Sequence, residues 1–346
     1  MNVEASTPYR LRDGDVEADR DAVLAIWSGN LSDADRAAGK YDWFYRQAPQ
    51  GAPLLKLLEF KGTPVGTCAA GRRSLQLGNQ QVAAGVLVDL AVMPDHRSLG
   101  PALMLQQSLV QSADASLDLL YGFPNPKAAP VFKRMGYTQV GEMVRYVRVL
   151  RHAGYLSRRM PTWLATPIAF VADVIRFVGN KRHLLGAGNL RASTSDALDE
   201  RVSTLVHEHP MPDVLTSLRD KAYLQWRLDR MPGSNHHHTV IETSSGGGLL
   251  AWFCWASDGG RAKIIDYWSI DPAAGPSERL VAKFLETLWR AGHTSVDVEL
   301  ATAETRTTGW RTMGFRPRSQ RPLFVRWQTG ASRVQDLHFV AADEDE

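Results

Sequence analysis

Residues 94–102 read Pro-Asp-His-Arg-Ser-Leu-Gly-Pro-Ala, where an apolar run ends, small residues follow and a helical pattern begins. Main-chain N–H groups in such a turn converge on the positive end of a helix, which makes a ready anion site. Arg97 adds a cation suited to charge-assisted contact with the same anion. Two groups able to move protons lie nearby in sequence: Asp89 in the run LVDLAV and Tyr121 closing LDLLY. A carboxylate whose pKa burial raises can accept a proton, and a phenol can donate one. Each also has a plain structural reading, Asp89 as a strand carboxylate bonded to a neighbour and Tyr121 as an aromatic at a sheet edge. His96 reads as a surface or phosphate contact. His236, His237 and His238 sit in PGSNHHHT and read as a solvated turn, since adjacent side chains on a strand point to opposite faces. His207 and His209 flank Glu208 and would share a face if extended, within reach of an acidic or sugar acceptor. Cys68 and Cys254 are the two cysteines, with no CxxC or Cys/His zinc spacing, so neither a disulfide framework nor a metal site is expected.

The run Arg97-Ser98-Leu99-Gly100-Pro101-Ala102 resembles the R/Q-x-x-G-x-G/A pyrophosphate loop of the GNAT acyltransferase family. Asn125, Ala128, Phe132, Gly136 and Tyr137 match that family's next signature, N-x-x-A followed by an aromatic and G-F/Y, in the right order. The resemblance implies acetyl-CoA, or a related acyl-CoA, as co-substrate, bound between two parallel strands that splay apart, here 84–92 and 117–123. It places the pyrophosphate on the amides of Ser98 to Ala102, including Leu99 and Gly100, with Arg97 beside them. The pantetheine arm would pair with the backbone around Leu90, an amide near Val92 would polarise the thioester carbonyl, and Asn125 would bond near the pantetheine end. The acceptor implied is the primary amine of a small molecule, not a nucleic acid. An ammonium has no lone pair, so a base must take its proton, and Asp89 stands on the strand carrying the acyl group. Two departures matter. Pro101 lacks an N–H, and Phe132 occupies the place where many family members put the tyrosine that protonates the leaving thiolate. That leaves Tyr121 or water as the acid.

The elements that must hold these residues occur twice. Trp43 with Pro49, Asp89, Asp118 and the run FKRMGY (132–137) recur about 180 residues later in the same order, as Trp226 with Pro232, Asp266, Asp297 and WRTMGF (310–315). Cys68 and Cys254 fall in comparable strands. Apolar runs predict strands at 54–60, 64–70, 84–92, 117–123 and 137–149, a helix over 101–113 opened by Pro101, and a short helix over 125–135 stopped by Gly136. The second copy repeats that order. The fold class expected is α/β (α+β): two tandem GNAT-like domains, each a mixed twisted sheet flanked by helices. The second copy's loop, Asp271 to Glu278, keeps Gly275 but lacks the basic residue and adds Glu278. A carboxylate there repels a diphosphate, so that copy is read as degenerate, walling the acceptor cleft.

Length and charge bound the rest. The 346 residues suit about two domains. A net charge of +3, from 40 Lys+Arg against 37 Asp+Glu, excludes a surface given over to nucleic acid. The domains expected are 1–150 (acyl-CoA-binding), a basic and apolar helical linker 151–195, a degenerate second copy 196–333, and a solvated acidic tail 334–346. The run Trp163 to Val178 is 16 residues long and carries Pro167, Asp173 and Arg176, too short and charged to span a membrane. With its basic flanks, 151–185 reads as a helix packed between domains, lying on a membrane surface or meeting a partner protein. No apolar leader opens the sequence, so a cytoplasmic protein, with or without membrane-peripheral contact, is expected. An acceptor near a membrane would suit an amino-sugar or envelope-polysaccharide precursor. Two other functions remain open: a Fem-like aminoacyltransferase, against which the lack of a long basic or coiled-coil insertion counts, and an inactive binding scaffold.

Overall fold

The structure is a computed structural model and describes residues 8–28, 30, 34–126, 128–151, 189–328 and 336–344. The first half contributes β1 (Tyr9–Asp13), β2 (Leu54–Phe60), β3 (Thr63–Leu77), β4 (Gln80–Val92), β5 (Leu119–Gly122) and β6 (Thr138–Val149). The second contributes β7 (Leu190–Ser195), β8 (Leu215–Ser217), β9 (His236–Thr243), β10 (Leu249–Asp258), β11 (Arg261–Ser269), β12 (Ser295–Thr302), β13 (Arg316–Trp327) and β14 (Leu337–Val340).

Local sequence sets the hairpins. Lys61 and Gly62 both have positive φ and close a two-residue turn between β2 and β3, as Gly259 and Gly260 do between β10 and β11. Two such residues in succession give the turn whose twist matches a hairpin. Each half then makes one crossover: helix Leu99–Ala113 joins β4 to the parallel β5, and helix Glu278–Arg290 joins β11 to the parallel β12. A parallel pair needs such a connection. Helix Leu99–Ala113 buries Leu105, Leu109, Val110 and Ala113 against Cys68, Leu120 and Phe132.

The two copies are not separate sheets. Their last strands are exchanged across the junction, giving the order β4-β5-β13-β6-β12-β11. On the other side β14 pairs β12 and β8, and β8 pairs β3. Among the described residues, β3, β4, β5, β13, β6, β12, β14 and β8 thus form a closed ring of hydrogen-bonded neighbours. Every strand of that ring is paired on both sides, and the sheet's edges fall to β1 and β7.

Near-reciprocal contacts mark the repeat. Trp43 and Trp226, each within a single π-helical turn, stack with centroids 4.7 Å apart. The Trp43 indole donates to the Trp226 carbonyl at 2.8 Å, and the Trp226 indole donates to the Trp43 carbonyl at 2.9 Å. Trp43→Phe keeps a stacking ring but orphans a buried carbonyl, and is expected to cost about 1–3 kcal/mol, read as a lowered urea midpoint at unchanged slope.

The domain limits need correcting at two places. Strand β7 pairs β9, so the second copy already includes residues assigned to the linker. Residues 338–344 of the tail are buried, not solvated: Asp343 is 0% exposed and Glu344 4%. The tail's backbone carbonyls accept from Tyr121, Tyr223 and Arg227, and Arg219 and Arg321 stand beside the Asp343 and Glu344 carboxylates. Residues 152–188, and with them the expected linker helix, lie outside the described residues. No helix among the described residues is long and apolar enough to cross a membrane.

Candidate active site

β4 and β5 pair only from Ala84–Leu119 to Val86–Tyr121, after which β4 runs on free of β5 while still paired with β3. Within that free stretch Thr67 faces Ala91 and Ala69 faces Val88, so Asp89 and Leu90 stand together against Cys68 as a β-bulge. Asp89 takes φ +53, a left-handed conformation costing roughly 1–2 kcal/mol for most residues and least for Asp and Asn. Bulges re-aim side chains next to functional sites. Here the Asp89 carboxylate, 4% exposed, accepts from Lys40 Nζ at 2.8 Å and from the Tyr45 hydroxyl at 2.9 Å. Burial and then Asp89 hold Tyr45 well above the usual tyrosine range, so it stays a donor.

Beyond β4 a turn at Pro94–His96 leads to Ser98, the extended N-cap of helix Leu99–Ala113. The Ser98 side chain makes no capping bond, so it leaves the first-turn amides to another acceptor. A Cβ placed on exposed Gly100 would meet nothing nearer than Ser98 Oγ at 4.0 Å. The residues present therefore fit a diphosphate resting on the helix end. Arg97 donates to the Val92 carbonyl at 3.2 Å and to Asn30 Oδ1, bracing the loop. Asn125 Oδ1 accepts from the Ala128 amide at 3.0 Å, which shapes the turn ahead of helix Ala129–Arg134.

Asp89, Leu90, Asn125 and Phe132 line one cleft of about 880 Å³, closed on its far side by Met231 to His236, Arg321 and Glu344 of the second copy. A charged cleft of about 600 Å³ adjoins it at Ala256 and Arg321. Val92 is buried beneath the helix. Tyr121 does not reach the cleft. It is fully buried, stacked 5.1 Å from Phe339, and its hydroxyl donates to the Asp343 carbonyl at 2.9 Å. The general-acid role considered for it is corrected by this placement, because the sheet is covered on both faces there.

The second copy is closed where the first is open. β11 and β12 part after Ile264 and Val298. Leu300 pairs Val144 of β6 on one edge and Val340 of β14 on the other, so the tail strand fills the gap. A Cβ on Gly275 (φ +79) would stand 2.3 Å from the Arg306 carbonyl oxygen, and one on Gly309 2.0 Å from that of Pro276. Asp266, opposite Cys254, accepts from Arg219 at 3.0 Å, and Arg219 lies 3.6 Å from Asp343, all three fully buried. Burial pushes the Asp266 carboxyl up to about 6 against the pull of Arg219.

His236 lines the cleft, where the sequence pattern alone predicts a solvated turn. It opens β9 opposite Ala256 of β10, which also lines the cleft. That cross-strand pairing is invisible in the sequence.

No protein-family model matches the chain, and no curated protein sequence does. Solved structures do. A probable N-acyltransferase from Enterococcus faecalis is 11% identical with a TM-score of 0.67, covering 93% of this chain and 73% of its own. A tandem GNAT protein from the clavulanic acid biosynthesis pathway is 13% identical with a TM-score of 0.55, covering 94% and 100%. A glucosamine N-acetyltransferase region of a fungal multi-domain β-N-acetylglucosaminidase is 12% identical with a TM-score of 0.57, covering 94% and 39%.

Proposed function

From a GNAT fold carried twice in one chain, we propose a coenzyme A-dependent N-acyltransferase that moves an acetyl or related acyl group to a primary amine of a small molecule. The first copy would hold acyl-CoA and the second would wall the acceptor cleft. One observation carries this reading: the helix end at Ser98–Ala102 is open beside splayed strands, while the matching place in the second copy is filled by its own chain. In this reading Ser98, Leu99, Gly100 and Ala102 offer main-chain donors to the diphosphate. Arg97 braces their loop and adds positive charge, and Leu90 and Val92 present the strand backbone to the pantetheine arm. Asp89 fixes the bulge through Lys40 and Tyr45, and Asn125 shapes the opposite lip. With Phe132 in place of a tyrosine and Tyr121 buried, water is left to protonate the leaving thiolate.

Mixed charges around the adjoining clefts suit a polar amine, and the likeness to a glucosamine N-acetyltransferase region makes an amino sugar the first acceptor to try. Calorimetry with acetyl-CoA, coenzyme A and longer acyl-CoAs tests the reading. One equivalent per chain is expected. No binding by any of them would sink it, and two equivalents would overturn the single-slot part.

A further inference from the structure

Three consecutive histidines begin β9, and their surroundings differ. His237 bonds Asp196 at 2.6 Å and lies 4.5 Å from the Trp255 ring, on the face away from the cleft. His238 is fully buried beside Trp252 and Asp229. Among the three, His236 lines the cleft. Its cross-strand neighbour Ala256 does too, and Ala256 in turn faces Lys263 of β11 in the adjoining cleft. Residues directly opposite one another on paired strands share a face, so the His236 side chain stands on the face that the clefts occupy.

We propose that His236 is the catalytic residue that takes the proton from the attacking amine. The proposal rests on the acyltransferase reading above. His236 Nδ1 lies 2.6 Å from the Leu228 carbonyl oxygen, an atom that only accepts, so Nδ1 carries the hydrogen. In the neutral ring that fixes the lone pair on Nε2, where a proton can be received. Burial holds the imidazole below its ordinary range, so the ring is neutral at pH 7. Arg227 and His238 push the same way, and Asp229 pulls against them. Across the cleft stand Lys40, Asp89, Arg321 and Glu344. The carboxylates among them are committed: Asp89 to Lys40 and Tyr45, and Glu344 to Arg321 at 2.6 Å.

In the step, the amine lone pair forms a C–N bond to the thioester carbonyl carbon and the C–S bond breaks. The electron pair leaves on the coenzyme thiolate, which takes a proton from water. The amine proton passes to Nε2 and returns from there to solvent.

His236→Asn tests this, because an Asn amide can still donate to the Leu228 carbonyl while Nε2 is gone. Acetyl-CoA affinity by calorimetry is expected to stay within about twofold of wild type, while acetyl transfer to glucosamine or another small primary amine falls by about 10²–10⁴-fold. The wild-type pH–rate profile should show an acidic limb below pH 6.5 that the variant lacks. Transfer within a few-fold of wild type, with that limb retained, would overturn the proposal. NMR of ¹⁵N-histidine protein, assigned against the variant, decides it without any acceptor: an Nε2–H tautomer at pH 8, or titration above pH 7, would also overturn it. Failure of wild type to bind acetyl-CoA would instead remove the acyltransferase reading.

Discussion

Gly100→Glu is expected to weaken acetyl-CoA binding on the order of 100-fold, about 2.8 kcal/mol, and to leave the protein folded. The two effects separate because of where Gly100 stands. Its φ is not in the left-handed region, and a Cβ there has open space, so a side chain adds no strain. A carboxylate in the first turn of a helix is favourable by about 0.3–1 kcal/mol, so thermal stability should hold or rise slightly. The same carboxylate would occupy the position proposed for a diphosphate and repel it. Gly275→Ala in the second copy should do the reverse: strain at φ +79 and a clash with the Arg306 carbonyl lower stability, while coenzyme affinity is unchanged. Calorimetry beside a thermal melt reads both. Wild-type affinity in Gly100→Glu would remove the helix end from the site.

Arg219→Met should be the most destabilising single change among these, about 3–5 kcal/mol near pH 8, because it leaves Asp266 and Asp343 buried without their cation. Met retains much of the volume beside Trp268, so lost packing contributes little. The penalty should shrink toward pH 5. Asp266 is raised from 3.8 to about 6, so between those values the folded chain holds its proton more tightly than the unfolded chain. Its stabilising contribution is complete below about pH 4 and is lost as the pH climbs through 6. Removing the guanidinium takes away the pull that lowers this pKa, so protonation relieves the variant more than wild type. Urea unfolding at pH 5 and pH 8 measures the difference. An equal penalty at both would show that charge burial is not its source.

Much of this architecture could be read from residue order. The Trp43 and Trp226 pair announced two copies, and the apolar run 54–60 coincides with β2. The Ser98–Ala102 loop was legible because a turn into a helix is a local event. What is not legible in residue order depends on pairing between distant segments. The acidic composition of the tail suggests solvent, but its backbone carbonyls are claimed by Tyr121, Tyr223 and Arg227, none of them near in sequence. Tyr121 seemed to sit at a sheet edge because β13, which covers that edge, comes from the other copy. His236 stands apart from its two neighbours only through its pairing with Ala256, which lines both clefts.

The exchanged strands also bear on how the chain is made. As the first half leaves the ribosome, β5 has no neighbour on its outer edge until Arg316–Trp327 has been synthesised. The gap between β11 and β12 stays unfilled until Leu337–Val340 arrives. The half that carries the Ser98–Ala102 helix end therefore has to wait, exposed, until Arg316–Trp327 has been translated. Nascent chains stalled before β13 should be protease-sensitive and a natural load on chaperones.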